Sequence, residues 1–203
     1  FRVNVRAPRP LMSAHRVSLI GGLLTAVGPI SMALYTPAMT EIGRAFGASD
    51  SAVKMTLTLY FGGFACAQLI AGPLSDAIGR RPVTFIFMAV YSLASLFALG
   101  APSIEALMLA RFLQGVVASA GVAIARAIVR DLFTGERSSR ILNVIGIVLA
   151  LGPAVAPTIG GFLLTFLGWR SIFVAMAVLG GIVVLAAAVG VRETVSRDWS
   201  RLR

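Results

Sequence analysis

The sequence predicts an all-α membrane protein built on six transmembrane helices. Of its 203 residues, 58% are hydrophobic and 13% are charged, and the mean hydropathy is +0.90. A soluble domain of this size carries charge on about a quarter of its residues, so this chain has too little polar surface to face water. A helix needs about 20 apolar residues to cross a bilayer. Six runs are long enough: 17–39, 52–74, 82–101, 104–129, 141–166 and 171–191.

The positions of the basic residues predict how these helices are oriented. If the first residue lies inside the cell, nearly all of the 18 Lys and Arg residues fall on the inner side. The exceptions are Arg44, Lys54 and Arg170 on the outer side and Arg111 within a run. This bias follows the positive-inside rule and predicts that both ends are cytoplasmic. The chain then divides into a basic N-terminal segment 1–16, a transmembrane bundle 17–191 and a charged tail 192–203.

The composition argues against other functions of a basic protein. A net charge of +10 would suit nucleic acid, but the basic residues do not cluster on a polar face with aromatic residues between them. The single cysteine, Cys66, lies inside an apolar run, so no disulfide framework is expected. No set of His, Cys or paired acidic residues is available for a metal site or an intramembrane enzyme. We therefore expect no enzyme, no cofactor, no metal and no nucleic-acid partner.

The link between the second and third runs is the most informative polar segment. The segment begins at Gly72, near the end of the second run, and also contains Asp76, Gly79, Arg80 and Arg81. The glycines are expected to let the backbone turn tightly, and Asp76 to cap the next helix or to pair with Arg80. The spacing Gly-x-x-x-Asp-x-x-Gly-Arg-Arg at this place in the helix order resembles the signature loop of the major facilitator superfamily. The resemblance implies that these residues form a conformational switch; a plain polar turn with stop-transfer arginines is the alternative.

The fourth run contains an arginine inside the membrane. Arg111 lies about 10 Å from the outer face at 1.5 Å per residue, a depth at which a charge is costly unless it faces a partner or a cavity. The segment Arg111-Phe-Leu-Gln114-Gly115 resembles the family's fourth-helix motif, Arg-x-x-Gln-Gly. The resemblance implies roles for Arg111 and Gln114 in proton coupling and in the electrostatics of the substrate cavity. The alternative is an arginine that snorkels outward or bonds carbonyl groups.

Three further side chains are candidates for a substrate wall. Tyr60 and Gln68 are eight residues apart on the second run and therefore lie roughly on one face. Together with Tyr35 on the first run, they would suit an amphipathic drug-like molecule. Packing against lipid or against other helices is the competing interpretation for each of them.

The fifth run carries Pro153 and the segment Ala156-Pro157-Thr-Ile-Gly160-Gly161. A proline kinks a helix, and a glycine lets two helices approach closely. The segment resembles the antiporter motif Gly-Pro-x-x-Gly-Gly of drug:proton antiporters, with Ala156 in place of the first glycine, and implies a hinge and export. Small-residue packing alone is the alternative. The first run contains Pro29-Ile-Ser-Met-Ala33-Leu-Tyr35-Thr-Pro37, and Phe46-Gly47 follows it. This pattern resembles the start of bicyclomycin/chloramphenicol-resistance exporters. Those exporters usually carry an aspartate where this chain has Ala33, so the identity of the proton carrier stays open.

The resemblance implies the N-terminal six-helix half of a multidrug efflux transporter, itself a pair of three-helix inverted repeats. It would work by drug/proton antiport through alternating access in a bacterial inner membrane, and residues 192–203 would begin its central cytoplasmic loop. The implied partners are a C-terminal six-helix half or a second copy, a small amphipathic drug-like substrate, protons and the bilayer. Uptake of a small metabolite and a non-transporting truncated membrane module remain the alternatives.

Overall fold

The computed structural model describes residues 11–194, and this part of the chain consists of helices and short links without a strand. The α-helices are α1 (Ala14–Tyr35), α2 (Met39–Phe46), α3 (Asp50–Ile78), α4 (Arg80–Leu99), α5 (Ile104–Leu132), α6 (Gly135–Leu167) and α7 (Arg170–Gly190). A 3-10 turn, Thr36–Ala38, joins α1 to α2, so that these two helices form a single apolar span. Six spans in the described residues are long and apolar enough to cross a membrane, which confirms the predicted fold class. Residues 1–10 and 195–203 lie outside the described residues, and with them most of the predicted tail and much of the basic N-terminal segment.

The helices extend further than the apolar runs predict. The polar segment 41–50 lies between the first two apolar runs and is therefore expected to be a loop, but it is helical as far as Phe46 and turns at Gly47, whose φ is +59°. The expected link 130–140 shrinks to Phe133 and Thr134, between the end of α5 and the start of α6. Hydropathy missed these extra turns because polar side chains can reach water or headgroups while the backbone keeps its hydrogen bonds within the helix.

Serine caps fix the beginnings of three spans. The side chains of Ser13, Ser49 and Ser103 accept hydrogen bonds from backbone N–H groups three residues later, at 3.3–3.4 Å. Each cap satisfies one of the N–H groups that a helix start leaves without a partner. The links are short, so consecutive spans run antiparallel and the bundle has two ends. We call them the Gly79 end, which also holds Ser13, and the Trp169 end, which also holds Ser49 and Ser103.

The packing of the spans is symmetric between the two halves of the chain. α3 packs on α5 as α1 packs on α6, and α4 packs on α5 as α1 packs on α7. The symmetry exchanges the first three spans with the last three. It swaps α4 with α7 and α1 with α5, so the contacts α4–α7 and α1–α5 each lie across the symmetry axis. This pattern is that of two three-helix repeats related by a pseudo-twofold axis.

Helix α5 lies at the centre of the bundle, and glycines allow the contact. A side chain at Gly115 would overlap the Tyr60 backbone on α3, and one at Gly121 would overlap the Leu24 backbone on α1. Small residues of this kind let membrane helices pack backbone to backbone. As a result α5 is the most buried span, whereas α3 and α6 are the least buried. Three polar side chains of α5, Arg111, Gln114 and Ser119, are therefore buried inside the protein.

Candidate functional site

Arg111 on α5 is fully buried and lies between two tyrosine rings. Its guanidinium carbon is 4.4 Å from the centre of the Tyr35 ring on α1 and 4.2 Å from the centre of the Tyr60 ring on α3. The negative faces of aromatic rings attract a cation at this distance, and the attraction is stronger when water is excluded. The structure thus brings three predicted site residues from three helices into one contact, which we call the Arg111 cluster.

Hydrogen bonds tie the Arg111 cluster to α4 and α7. Arg111 Nη1 donates to Gln114 Oε1 at 2.8 Å, and Gln114 Nε2 donates to Ser95 Oγ on α4 at 2.7 Å. Both side chains also point donors at the sulfur of Met176 on α7, at 3.9 and 3.7 Å. Gln114 therefore orients the guanidinium and links it to two further helices.

The two tyrosine rings are themselves held in place. Tyr35 Oη shares a hydrogen bond of 2.7 Å with Thr56 Oγ1, and Tyr60 Oη donates to the Gly28 carbonyl at 2.9 Å. A buried aromatic hydroxyl usually finds such a partner. Because both rings are fixed at their far ends, they form a rigid slot for the guanidinium.

Arg111 has no counter-ion in the part of the chain that the structure describes. The ion pairs found there join Arg80 to Asp76, Arg80 to Asp131 and Arg140 to Glu136. Arg111 Nε and Nη2 also lack a hydrogen-bond partner among these residues. A buried cation without a partner is strongly unfavourable in a membrane unless it serves a cavity or a pathway. The cluster thus offers an acceptor that reaches it two nitrogen atoms without a hydrogen-bond partner and a positive charge without an acidic partner among the described residues.

Gln68 does not join the Arg111 cluster. It lies on α3, eight residues beyond Tyr60 towards the Gly79 end, and it is half-buried without a hydrogen bond to any described residue. Tyr60 belongs to the buried cluster instead. The two residues that were predicted to share one substrate wall therefore lie at different depths of the bundle.

A second polar site, the Arg80 cluster, lies at the Gly79 end. The buried Arg80 side chain forms an ion pair with Asp76, which is one of the two roles predicted for that aspartate. Arg80 Nε also donates to Asp131 Oδ2 on α5 at 3.0 Å, and Nη1 donates to Ser75 Oγ at 2.5 Å. This one arginine therefore joins the end of α3, the start of α4 and the end of α5.

Gly79 is the whole break between α3 and α4, with a φ of +115° that favours glycine. The carboxylate of Glu193, just past α7, accepts hydrogen bonds from the backbone N–H groups of Arg80 at 2.9 Å and Arg81 at 3.3 Å. It caps the start of α4, where a negative charge is favourable. Arg81 in turn donates to the Ala188 carbonyl on α7 at 3.1 Å. The expectation of a tight turn at Gly72 is wrong, because α3 continues past Gly72 to Ile78.

The antiporter-like segment lies on one continuous helix, α6, which contains both Pro153 and Pro157. Gly160 faces α1, where an added Cβ would lie 2.6 Å from the Leu34 carbonyl oxygen. An added Cβ at Gly161 would meet nothing within 4 Å. Of these two adjacent glycines, Gly160 therefore forms the close contact between α6 and α1, and Gly161 does not.

Several members of these clusters were missed by sequence reasoning. Ser95 and Met176 carry no signal in a long apolar run, since such residues are common in membrane helices. Asp131 and Glu193 carried a usable signal, because each is an acidic residue at the end of a span and at the same end as Arg80. A search for opposite charges among the span ends would have proposed both.

The fold and the two clusters together define the class of protein. The chain is a multi-pass helical membrane protein with a buried arginine at its centre and an ion-pair cluster that links three helices at one end. Residues 21–201 match the Major Facilitator Superfamily. The chain therefore belongs to this family of membrane transporters, as predicted, and is not an enzyme.

Relatives of the chain support the same membership. A Bacillus subtilis protein named as an uncharacterized MFS-type transporter, YdgK, is 42% identical over 175 residues, which cover 85% of this chain and 44% of the relative. A bicyclomycin resistance protein homolog of Haemophilus influenzae is 34% identical over 82% of this chain and 41% of its own length. A chloramphenicol resistance protein of Pseudomonas aeruginosa is 37% identical over 89% of this chain and 44% of its own length. The chain thus spans less than half the length of these curated relatives.

A solved structure agrees with the architecture. The crystal structure of a bacterial homolog of the human lysosomal transporter Spinster, inward-facing and unoccupied, covers 91% of this chain with a TM-score of 0.75 and 18% identity. The match extends over 44% of that protein. It confirms the six-helix fold as one half of a major facilitator architecture.

Proposed function

We propose that this chain is the N-terminal half of a multidrug exporter that exchanges drug for protons by alternating access. Family membership and the resistance names of two relatives support export, and the lengths of the relatives support a missing second half. Arg111 carries the proposal, because a buried arginine with free donors and no counter-ion is expected where charge moves through a membrane. The substrate would bind near the midplane, between this half and its partner.

In this proposal Arg111 acts through its electric field. An arginine stays protonated under all ordinary conditions, so it does not carry the proton itself. The acidic residues in the described part lie at the ends of spans or in links, and Ala33 stands within α1 where the related exporters usually have an aspartate. The proton carrier is then expected on the second half, where the positive charge of Arg111 would favour its ionised form.

The Arg80 cluster would act as the switch. Arg80 is buried, whereas about a third of the Asp76 side chain is exposed at the surface of the bundle. Asp76 is thus the member that can contact a helix of the other half when the Gly79 end closes. The basic residues at this end support a position on the cytoplasmic side of a bacterial inner membrane.

The test measures chloramphenicol accumulation in cells that make the intact protein of the native source. Export predicts lower accumulation than in cells without the protein, and loss of the effect when Gly160 is replaced by Leu. Gly181→Leu is the matched control, because a Cβ at Gly181 meets nothing within 4 Å. Higher accumulation would indicate uptake instead, and unchanged accumulation of chloramphenicol and of a panel of other drugs would refute export.

A further inference from the structure

An open groove of about 880 Å³ lies at the Gly79 end between α1, α5 and α6, apart from both clusters. Its polar lining residues are Thr25, Arg126, Arg130, Thr134, Ser138 and Ser139. Its apolar lining residues include Leu142, Ile145 and Leu149 on α6. We call it the α1–α5–α6 groove. Its lining therefore combines polar and apolar side chains.

The charge in the groove is not balanced. Arg126 and Arg130 are one helical turn apart on α5, so their side chains are neighbours. No described acidic residue lines the groove, and neither arginine forms an ion pair or hydrogen bond with a described residue. Arg140, which lies outside the groove, is paired with Glu136. The groove therefore presents two positive charges to whatever enters it.

Thr25 supplies an independent sign of a ligand. It lines the groove and is 3% exposed, yet its hydroxyl has no hydrogen-bond partner among the described residues. Buried hydroxyls are nearly always bonded, and in a helix a threonine commonly donates to the carbonyl one turn earlier. Thr58, Thr84 and Thr165 all do so in this bundle, and Thr25 does not. A polar atom of a bound molecule would satisfy this hydroxyl.

The start of α6 adds a third favourable element at the mouth of the groove. Thr134 is its N-cap residue but makes no side-chain cap bond, in contrast to the serine caps of α1, α3 and α5. The first N–H groups of a helix without a cap carry partial positive charge and bind anions. Thr134 and Gly135 both line the groove.

We propose that the α1–α5–α6 groove binds an amphipathic organic anion. Its acidic group lies between Arg126 and Arg130 near the start of α6, and its apolar body lies along α6 towards Leu149. Leu149 is 14 residues beyond Gly135, about 21 Å at 1.5 Å per residue, so the groove can hold a long apolar body. The hydroxyl of Thr25 bonds a polar atom along the way. An anionic substrate and the headgroup of an anionic phospholipid share this chemistry.

The first experiment compares two probes that differ only in charge. Binding of naphthalene-2-carboxylate and naphthalene-2-carboxamide is measured by equilibrium dialysis with the intact protein of the native source, in nanodiscs of phosphatidylcholine alone. We expect the carboxylate to bind about tenfold more tightly, since a hydrogen bond to a charged group is worth roughly one order of magnitude. Equal affinities for the two probes would overturn the proposal.

Variants locate the site. Arg126→Gln and Arg130→Gln should each remove most of the preference for the carboxylate and leave carboxamide binding nearly unchanged. Arg137→Gln is the matched control, because it removes the same charge from the exposed surface of α6 outside the groove. Arg126→Lys should keep the preference, which separates lost charge from lost folding. If Arg137→Gln lowers the preference as much as the groove variants do, the proposal is wrong.

Lipid composition identifies the source of the anion. If a headgroup occupies the groove, phosphatidylglycerol in the nanodiscs should weaken carboxylate binding, and Arg126→Gln should reduce the phosphatidylglycerol that co-purifies. If only a soluble anion binds, phosphatidylglycerol should have no effect. Either result supports the binding of an amphipathic organic anion in the groove. The binding assay requires no transport, so failure of the proposed export would leave this inference standing, and the reverse also holds.

Discussion

Gly160→Ala should weaken the contact between α1 and α6, because a methyl group at this position has no room. Its carbon would lie 2.6 Å from the Leu34 carbonyl oxygen, whereas ordinary contact begins near 3.4 Å, so the two backbones must separate by about 0.8 Å. Overpacking of this kind destabilises by about 2 kcal/mol, and the better helix propensity of alanine offsets up to about 1 kcal/mol of that loss. For the remaining loss of about 1 kcal/mol in a chain of this length, we expect a Tm that is lower by about 2–4 °C, measured by thermal unfolding of the purified protein in detergent.

The neighbouring Gly161→Ala is the control for the same motif. A Cβ at Gly161 meets nothing within 4 Å, so no steric loss is expected. Alanine is also the better helix former, by up to about 1 kcal/mol, so the Tm should stay the same or rise. If Gly160→Ala is as stable as Gly161→Ala, the close approach of α1 and α6 at this motif is wrong, and with it the distinct role of Gly160.

Three further substitutions test the two clusters. Arg111→Ala should abolish drug efflux driven by a proton gradient in inverted vesicles; full proton-dependent efflux would rule out the coupling role. Gly79→Ala places a side chain at φ +115° and 2.5 Å from Glu193 Oε2. We therefore expect the free energy of unfolding, measured with denaturant, to fall by about 1–3 kcal/mol. An unchanged midpoint would contradict a strained backbone at the break between α3 and α4. Asp76→Asn should loosen the closed Gly79 end, seen as faster labelling of Cys66 by a polar maleimide; labelling at the original rate would argue against the switch.

The amino-acid sequence determined the number and kind of the spans. Length and hydropathy along the chain are local properties, and a backbone inside lipid must form helices to satisfy its own hydrogen bonds. The pairing of Asp76 with Arg80 was also predictable, since residues four apart meet on one helical face or across one short break. The short motifs identified the family for the same reason, because their residues are neighbours in sequence.

The positions of the span ends were predicted less well. The extra turns at the ends of α5 and α3 carry polar residues, so hydropathy placed the links too early. Gly72 was expected to turn the backbone but lies within α3, where an added Cβ would meet nothing within 4 Å. Glycine permits a turn without requiring one, and only the packing of the neighbouring spans decided that Gly79 is the break.

Only the tertiary structure decided which side chains meet. It placed Arg111 between Tyr35 and Tyr60, brought Glu193 to the start of α4, and set Gly160 rather than Gly161 against α1. In water, the apolar face of a helix reveals which side is buried. In a bilayer, lipid and protein interior are equally apolar, so the pattern along a span does not show which face turns inward. The contacts between spans therefore had to come from the fold itself.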